Sequence, residues 1–245
     1  MLIKFKSAAA LSAVILLSTL SGCADAQQRS TPANKGEIEI IVKEYLLENP
    51  EIIRDALIIL KEKEERQSIV AVQDELRNDK RDYSIGPKNA KVTVVEFYDY
   101  NCSFCKRSTG WIQDVMKEHP NDVRIIFKEL PILDRRTGTS RNAAKAALAA
   151  GKQGKYNEMH FALMAASDLS DKFITSTAIK LGLNMKKFKA DMQSDAFDEH
   201  LEDTMILATQ IPALTGTPFF IINEKFVPSG DTVALQNMLD EALAE

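Results

Sequence analysis

The spacing of apolar positions changes several times along the chain, and each spacing predicts a different element. Lys4 and Lys6 precede a charge-free apolar run over residues 8–20, and small residues follow. This is the layout of a secretory leader, too short to span a bilayer comfortably. Residues 27–36 are polar and read as a flexible tether. Ile38, Ile41, Val42, Tyr45 and Leu46 then recur at three- and four-residue spacing, which predicts a helix. Asn49 and Pro50 predict the cap and first position of a second helix, striped by Ile52, Ile53, Ala56, Leu57 and Leu60. The charged residues 61–66 read as a solvated helical turn, after which Ile69, Val72 and Leu76 resume a narrow stripe. These helices are too few to enclose a core. Their apolar faces need either the rest of the chain or the same segment of another copy.

From Tyr83 the period shifts. Gly86-Pro87 and Asn89 mark a turn, and Val92, Val94, Val95 and Phe97 form a β-branched run, expected of a strand covered on both faces. Residues 102–117 read as a helix with Trp111, Ile112 and Val115 inward, and residues 123–127 as a second strand. Residues 139–211 are dominated by helix, punctuated by Gly151, Gly154 and Gly182. Residues 218–223 form a further strand, with a turn at Asn223-Glu224, Val227 in a partner strand, and a closing helix over residues 231–244. This order predicts an α/β chain: a thioredoxin fold with a helical insertion, preceded by an N-terminal helical segment. The divisions are residues 1–26, 27–80 and 81–245.

Composition narrows the function. Of 245 residues 45% are apolar, enough for one good-sized core and an appendage. A formal charge of −4 argues against nucleic acid as a partner. Of three cysteines, Cys23 follows Leu20-Ser21-Gly22, the form of a bacterial lipobox in which Cys23 is lipidated. Ala24-Asp25-Ala26 offers ordinary cleavage after Ala26 instead. Either route leads out of the cytoplasm, to a disulfide-permissive compartment, and leaves Cys102 and Cys105 as free thiols. Two cysteines two residues apart at a helix start are close enough to bridge. The first meets unpaired amides and the helix dipole, which favour its thiolate; the second lies a turn further in, placed to resolve a mixed disulfide. Lys106 and Arg107 add positive charge nearby. A structural disulfide would close too short a loop to stabilise much. His119, His160 and His200 are isolated, so no zinc set completes the pair, and Met159, His160 and Met164 read as core rather than as a soft-metal patch. No metal and no cofactor is expected.

The run Glu96-Phe97-Tyr98-Asp99-Tyr100-Asn101-Cys102-Ser103-Phe104-Cys105-Lys106 resembles the active site of DsbA-family thiol–disulfide oxidoreductases. Thr215-Gly216-Thr217-Pro218-Phe219-Phe220 resembles their second hallmark, a cis-proline loop facing the CxxC. Tyr45-Leu46-Leu47-Glu48-Asn49-Pro50-Glu51 is similar to the N-terminal helices of the ScsC-like branch, where such a segment oligomerises the enzyme. The resemblance implies Cys102 as nucleophile, Cys105 as resolving thiol and Glu96 as the buried acid that exchanges protons with it. It implies Thr217 and Pro218, with Ser103 and Phe104, as the surface that takes an extended substrate. Ser103-Phe104 replaces the Pro-His of strongly oxidising relatives, and Thr217 before Pro218 resembles isomerase-type relatives. Both departures tilt the expectation toward isomerisation. The implied partners are unfolded or misfolded cysteine-containing envelope proteins, a membrane redox partner and further copies of the chain in a dimer or trimer. The implied place is the periplasm or cell envelope, with a lipid anchor. The competing reading is an envelope lipoprotein that binds clients as a chaperone, using the fold as scaffold.

Overall fold

In the computed structural model, which describes residues 34–245, a central strand buried at every residue but half-buried Thr93 organises everything around it. This is β2 (Val92–Tyr98), flanked by parallel β3 (Val123–Glu129) and antiparallel β4 (Phe219–Ile222). Edge strands β1 (Tyr83–Ile85) and β5 (Lys225–Val227) complete the sheet in the order β1-β3-β2-β4-β5. The expected leader, the lipidation at Cys23, cleavage after Ala26 and most of the tether lie outside the described residues.

The mostly apolar run of β2, broken by Thr93 and Glu96, follows from cover on both faces. On one face Val92, Val94, Tyr98, Ile125 and Phe127 share a core with α4 (Ser103–Glu118), α11 (Thr232–Ala244) and the insertion between β3 and β4. That insertion comprises α5 (Asp134–Thr137), α6 (Ser140–Gly151), α7 (Tyr156–Ala165), α8 (Asp171–Lys180), α9 (Met185–Met192) and α10 (Asp195–Thr209). On the other face Val95, Phe97, Ile126, Phe219 and Ile221 pack with Leu207 and Ile211, and also with Ile69, Val72 and Leu76. Ile69 comes from the end of α2 (Glu51–Ala71), Leu76 from α3 (Gln73–Asn78), and Val72 is the residue between them that caps α3. Gly86, at φ +92°, makes the turn before β2, where a Cβ would meet the Val123 carbonyl at 2.1 Å.

The described residues divide into two compact units, one ending at Ile53 and the other Arg54–Glu245. An expected boundary at residue 80 therefore cuts through a core: Ile69 and Leu76 are fully buried against the sheet. Residues 61–66 are the solvated helical turn expected, exposed apart from half-buried Glu65, in the middle of the 21-residue α2. Helix α1 (Lys35–Glu48) starts two residues inside the expected tether, with Asn34 accepting from the Gly36 amide. Asn49 was expected to cap the second helix; its side-chain amide instead donates back to the Tyr45 carbonyl at 2.9 Å and closes α1. Ile38, Ile41 and Tyr45 of α1, and Leu57 and Ile59 of α2, are exposed. Among the described residues no helix is long and apolar enough to cross a membrane.

Candidate active site

The site grows from the end of β2. Asp99 turns the chain by accepting at one oxygen from the Asn101 amide (2.7 Å) and the Ser140 hydroxyl (2.7 Å), and at the other from the Leu133 amide (2.8 Å). Asn101 donates to the hydroxyls of Thr137, Thr139 and Ser140. These bonds fasten the approach to α4 onto the insertion, and Cys102 emerges as the N-cap of that helix.

Cys102 is 7% exposed and Cys105 fully buried; both are free thiols. The Cys102 thiol, when protonated, donates to the Thr217 carbonyl at 3.2 Å. The Thr217–Pro218 peptide is cis. As a thiolate Cys102 is held at a pKa of about 5, first by the Cys105 thiol and against the effect of burial, with help from the Cys105 amide, the Thr217 side chain and the Phe104 amide. These amides are the unpaired donors of a helix start. Cys105 moves the other way: burial pushes its pKa up, as do its bond to Cys102 and the charge of Glu96. One thiol is thus ready to attack and the other holds its proton.

Glu96 lies beneath the pair, fully buried, with neither carboxylate oxygen hydrogen-bonded. Burial raises its pKa well above the carboxylate range, and the charges of Cys102 and Glu129 raise it further. Ser103 is exposed, and Phe104 is 57% exposed beside Cys102, its ring under the Arg107 guanidinium at 4.1 Å. Lys106 reaches the Ala166 carbonyl on the insertion, so its charge serves an anchoring contact.

The structure brings Cys102, Cys105, Thr217 and Pro218 together, with Glu96 below and Phe104 at the lip. Sequence reasoning passed over Gly230. A Cβ there would lie 3.1 Å from the Phe104 carbonyl and 3.4 Å from the Pro218 ring, so a side chain would crowd the wall of the site. It also assigned no role to Asp99 and Asn101, although both lie in the run quoted for its resemblance. Of the histidines, His160 is buried among tyrosines and His200 beside Asp82. Among the described residues no group of three or more His, Cys, Asp or Glu is placed to hold a metal ion.

Comparison with known proteins points to the same fold. Residues 93–242 match the DSBA-like thioredoxin domain, and residues 35–67 match the copper resistance protein ScsC N-terminal domain. A thioredoxin-like oxidoreductase from Silicibacter pomeroyi is 35% identical, with TM-score 0.64, over 70% of this chain and 98% of that one. The catalytic domain of Proteus mirabilis ScsC is 28% identical, with TM-score 0.65, over 74% and 99% respectively. The Na(+)/H(+) antiporter NhaA 3 of Salinispora tropica is 31% identical over 152 residues, 58% of this chain. The match spans only 22% of that antiporter's length.

Proposed function

The chain belongs to the DSBA-like thioredoxin family, and from that premise we propose that it is a thiol–disulfide oxidoreductase that forms and isomerises disulfides in proteins of the cell envelope. The observation that carries the reading is the contrast within one motif: Cys102 held at about 5, Cys105 buried and pushed up. In oxidation, a client thiolate attacks the Cys102 sulfur of the Cys102–Cys105 disulfide. The S–S bond breaks toward Cys105, whose thiolate takes a proton from Glu96. A second client thiolate then attacks the client sulfur, and Cys102 leaves as its stabilised thiolate. In isomerisation the reduced Cys102 thiolate attacks a client disulfide and is released when another client thiolate displaces it. Thr217 and Pro218 line the place where an extended client lies, with Ser103 and Phe104 as its lip.

The clients are unfolded or misfolded proteins with cysteines, and a membrane redox partner resets the dithiol. The leader pattern supports an envelope location, and Cys23 a lipid anchor. An open apolar groove of about 450 Å³ lined by Ile38, Val42, Leu46 and Ile53 supports association of the first helices into a dimer or trimer. Several sites around one client raise effective concentration and favour reshuffling over net oxidation. The same exposed stripe supports a second reading, a client-holding module that needs no cysteine.

Insulin reduction and refolding of a scrambled multi-disulfide protein test the proposal. The mature protein should catalyse both, and Cys102→Ser should fall to background in both. A chain beginning at Arg54 should be monomeric by light scattering, keep insulin reduction and lose most scrambled-substrate refolding. A Cys102→Ser protein as active as the parent would sink the enzymatic reading. Unimpaired suppression of client aggregation by that inactive variant would favour the holding module.

A further inference from the structure

Glu129, the last residue of β3, stands opposite Tyr98 in the parallel register, as Phe127 stands opposite Glu96. Strand alternation therefore places Glu96, Tyr98, Phe127 and Glu129 on one face, the face that packs Cys105. Glu96 and Glu129 are diagonal neighbours, roughly 8 Å apart between Cα atoms. One Glu129 oxygen accepts from the hydroxyls of Tyr100 (3.1 Å) and Tyr156 (2.9 Å). Tyr98 closes the cluster, 2.6 Å from the Tyr156 hydroxyl and 3.2 Å from that of Tyr100. His160 of α7 meets the Tyr100 hydroxyl through Nδ1 at 3.0 Å, and its Nε2 has no partner.

Packing alone does not call for this. Phenylalanines would fill the same space without burying hydroxyls and a carboxyl. The charged and titratable groups facing Glu129 are the three tyrosines, His160, Asp99 and Glu96. None of them supplies a positive charge: burial lowers the His160 pKa to about 3, and Asp99 repels. Burial pushes Glu129 up to about 8 against the pull of its tyrosine hydrogen bonds, so it changes charge near neutral pH.

We propose that Glu129, steadied by Tyr98, Tyr100 and Tyr156, is a positioning acid of the exchange site, whose charge sets the pH at which Glu96 accepts the Cys105 proton. This rests on the reading in which Cys105 resolves and Glu96 holds its proton. In that step Cys105 gives its proton to Glu96 and attacks the Cys102 sulfur of a mixed disulfide. The Cys102–Cys105 bond forms, the old S–S bond breaks, and the partner thiolate leaves. A negative Glu129 beside Glu96 raises the proton affinity of Glu96, so Glu96 is free to accept only at higher pH. Removing that charge brings the accepting form in at lower pH.

The test is the pH dependence of oxidation of the reduced full chain by oxidised glutathione, at concentrations where resolution by Cys105 limits the rate. Glu129→Gln keeps an oxygen for the tyrosine hydroxyls. Its acidic limb should move down by about 1.5 pH units, as expected for two charges at this spacing with an effective dielectric of about 20. Tyr156→Phe removes one donor that favours the Glu129 carboxylate and should move the limb the same way, by less. In Glu96→Gln the limb should vanish, and adding Glu129→Gln should change nothing further. Independently of any variant, carbon-13 labelling of the glutamate carboxyls should reveal two buried groups with coupled, two-step titrations. A limb altered by Glu96→Gln but unmoved by Glu129→Gln, or two independent single-step titrations, overturns the inference and leaves the exchange reading standing. A parent protein inert to oxidised glutathione overturns both.

Discussion

Lys128 and Glu129 are consecutive on β3 and point to opposite faces of the sheet, and the two faces handle buried charge differently. On the Lys128 side the ammonium meets the Asp82 carboxylate and the Glu75 carbonyl, with both side chains at most 3% exposed. His200 adds a ring nitrogen 3.3 Å from the second Asp82 oxygen. On the Glu129 side two carboxyls share the interior with tyrosines and a neutral histidine. One of them, Glu96, has no hydrogen-bond partner at all. Compensated charge ties α3 and the loop after it to the sheet. Uncompensated charge costs stability and produces perturbed acids, which is what a proton-handling site needs.

The largest test of that contrast is a matched pair of substitutions. Lys128→Met leaves Asp82 buried without its cation and should cost about 3–5 kcal/mol in unfolding free energy. Glu96→Gln removes an acid that already lacks partners and should not destabilise the reduced protein at pH 7, although it slows exchange. Urea unfolding of both variants against the parent decides. A Lys128→Met loss below about 1 kcal/mol, or a Glu96→Gln loss above about 2 kcal/mol, breaks the contrast.

This contrast was invisible in the sequence for a physical reason. The parts that were legible carry local signals: the β-branched run of β2, the two-residue spacing of Cys102 and Cys105, and Thr217-Pro218 before a strand. Lys128 and Glu129 merely end an apolar strand, and nothing local says that each is buried. Their partners arrive through the fold, Asp82 from 46 residues upstream and Tyr156 from 27 downstream. Edge strand β1 was missed because three half-buried residues carry no alternation long enough to read. The late domain boundary has the same origin. Ile69, Val72 and Leu76 look like more of the N-terminal stripe until the far face of the sheet is there to cover them.

Redox state supplies a second, smaller test on the Glu129 side. Cys102 sits at about 5, below the ordinary thiol value of 9.0 that it regains on unfolding. A lowered native pKa contributes stability that is present above the unfolded value and lost as pH falls through the native one. The reduced protein should therefore gain stability from about pH 5 to pH 9, by a few kcal/mol in all, while the oxidised protein, lacking the thiol, does not. Glu129 slopes the opposite way between its unfolded value near 4.5 and about 8, but it does so in both redox forms and drops out of the difference. Denaturant titrations of both forms across this range measure it. A reduced-minus-oxidised difference that stays flat would mean that Cys102 is not held as a thiolate.

The smallest expected effect isolates burial as the variable. Arg66 of α2 gives Nε and Nη2 to one oxygen of Glu224, at 3.0 and 2.6 Å, in the turn between β4 and β5. Like Lys128–Asp82, this pair ties the helical stretch before the sheet to the sheet itself. Its side chains, however, are 67% and 42% exposed, against 2% and 3% for the inner pair. Water screens the attraction, and two long side chains lose freedom to make it. Arg66→Ala should therefore cost less than about 1 kcal/mol, part of it from the packing of the arginine stem, and the remainder should shrink in about 0.5 M salt. Lys128→Met should keep its full cost in the same salt, because ions do not reach the inner pair. If Arg66→Ala instead costs as much as Lys128→Met and resists salt, the strength of these ties comes from geometry rather than from exclusion of water, and the difference between the two faces needs another cause.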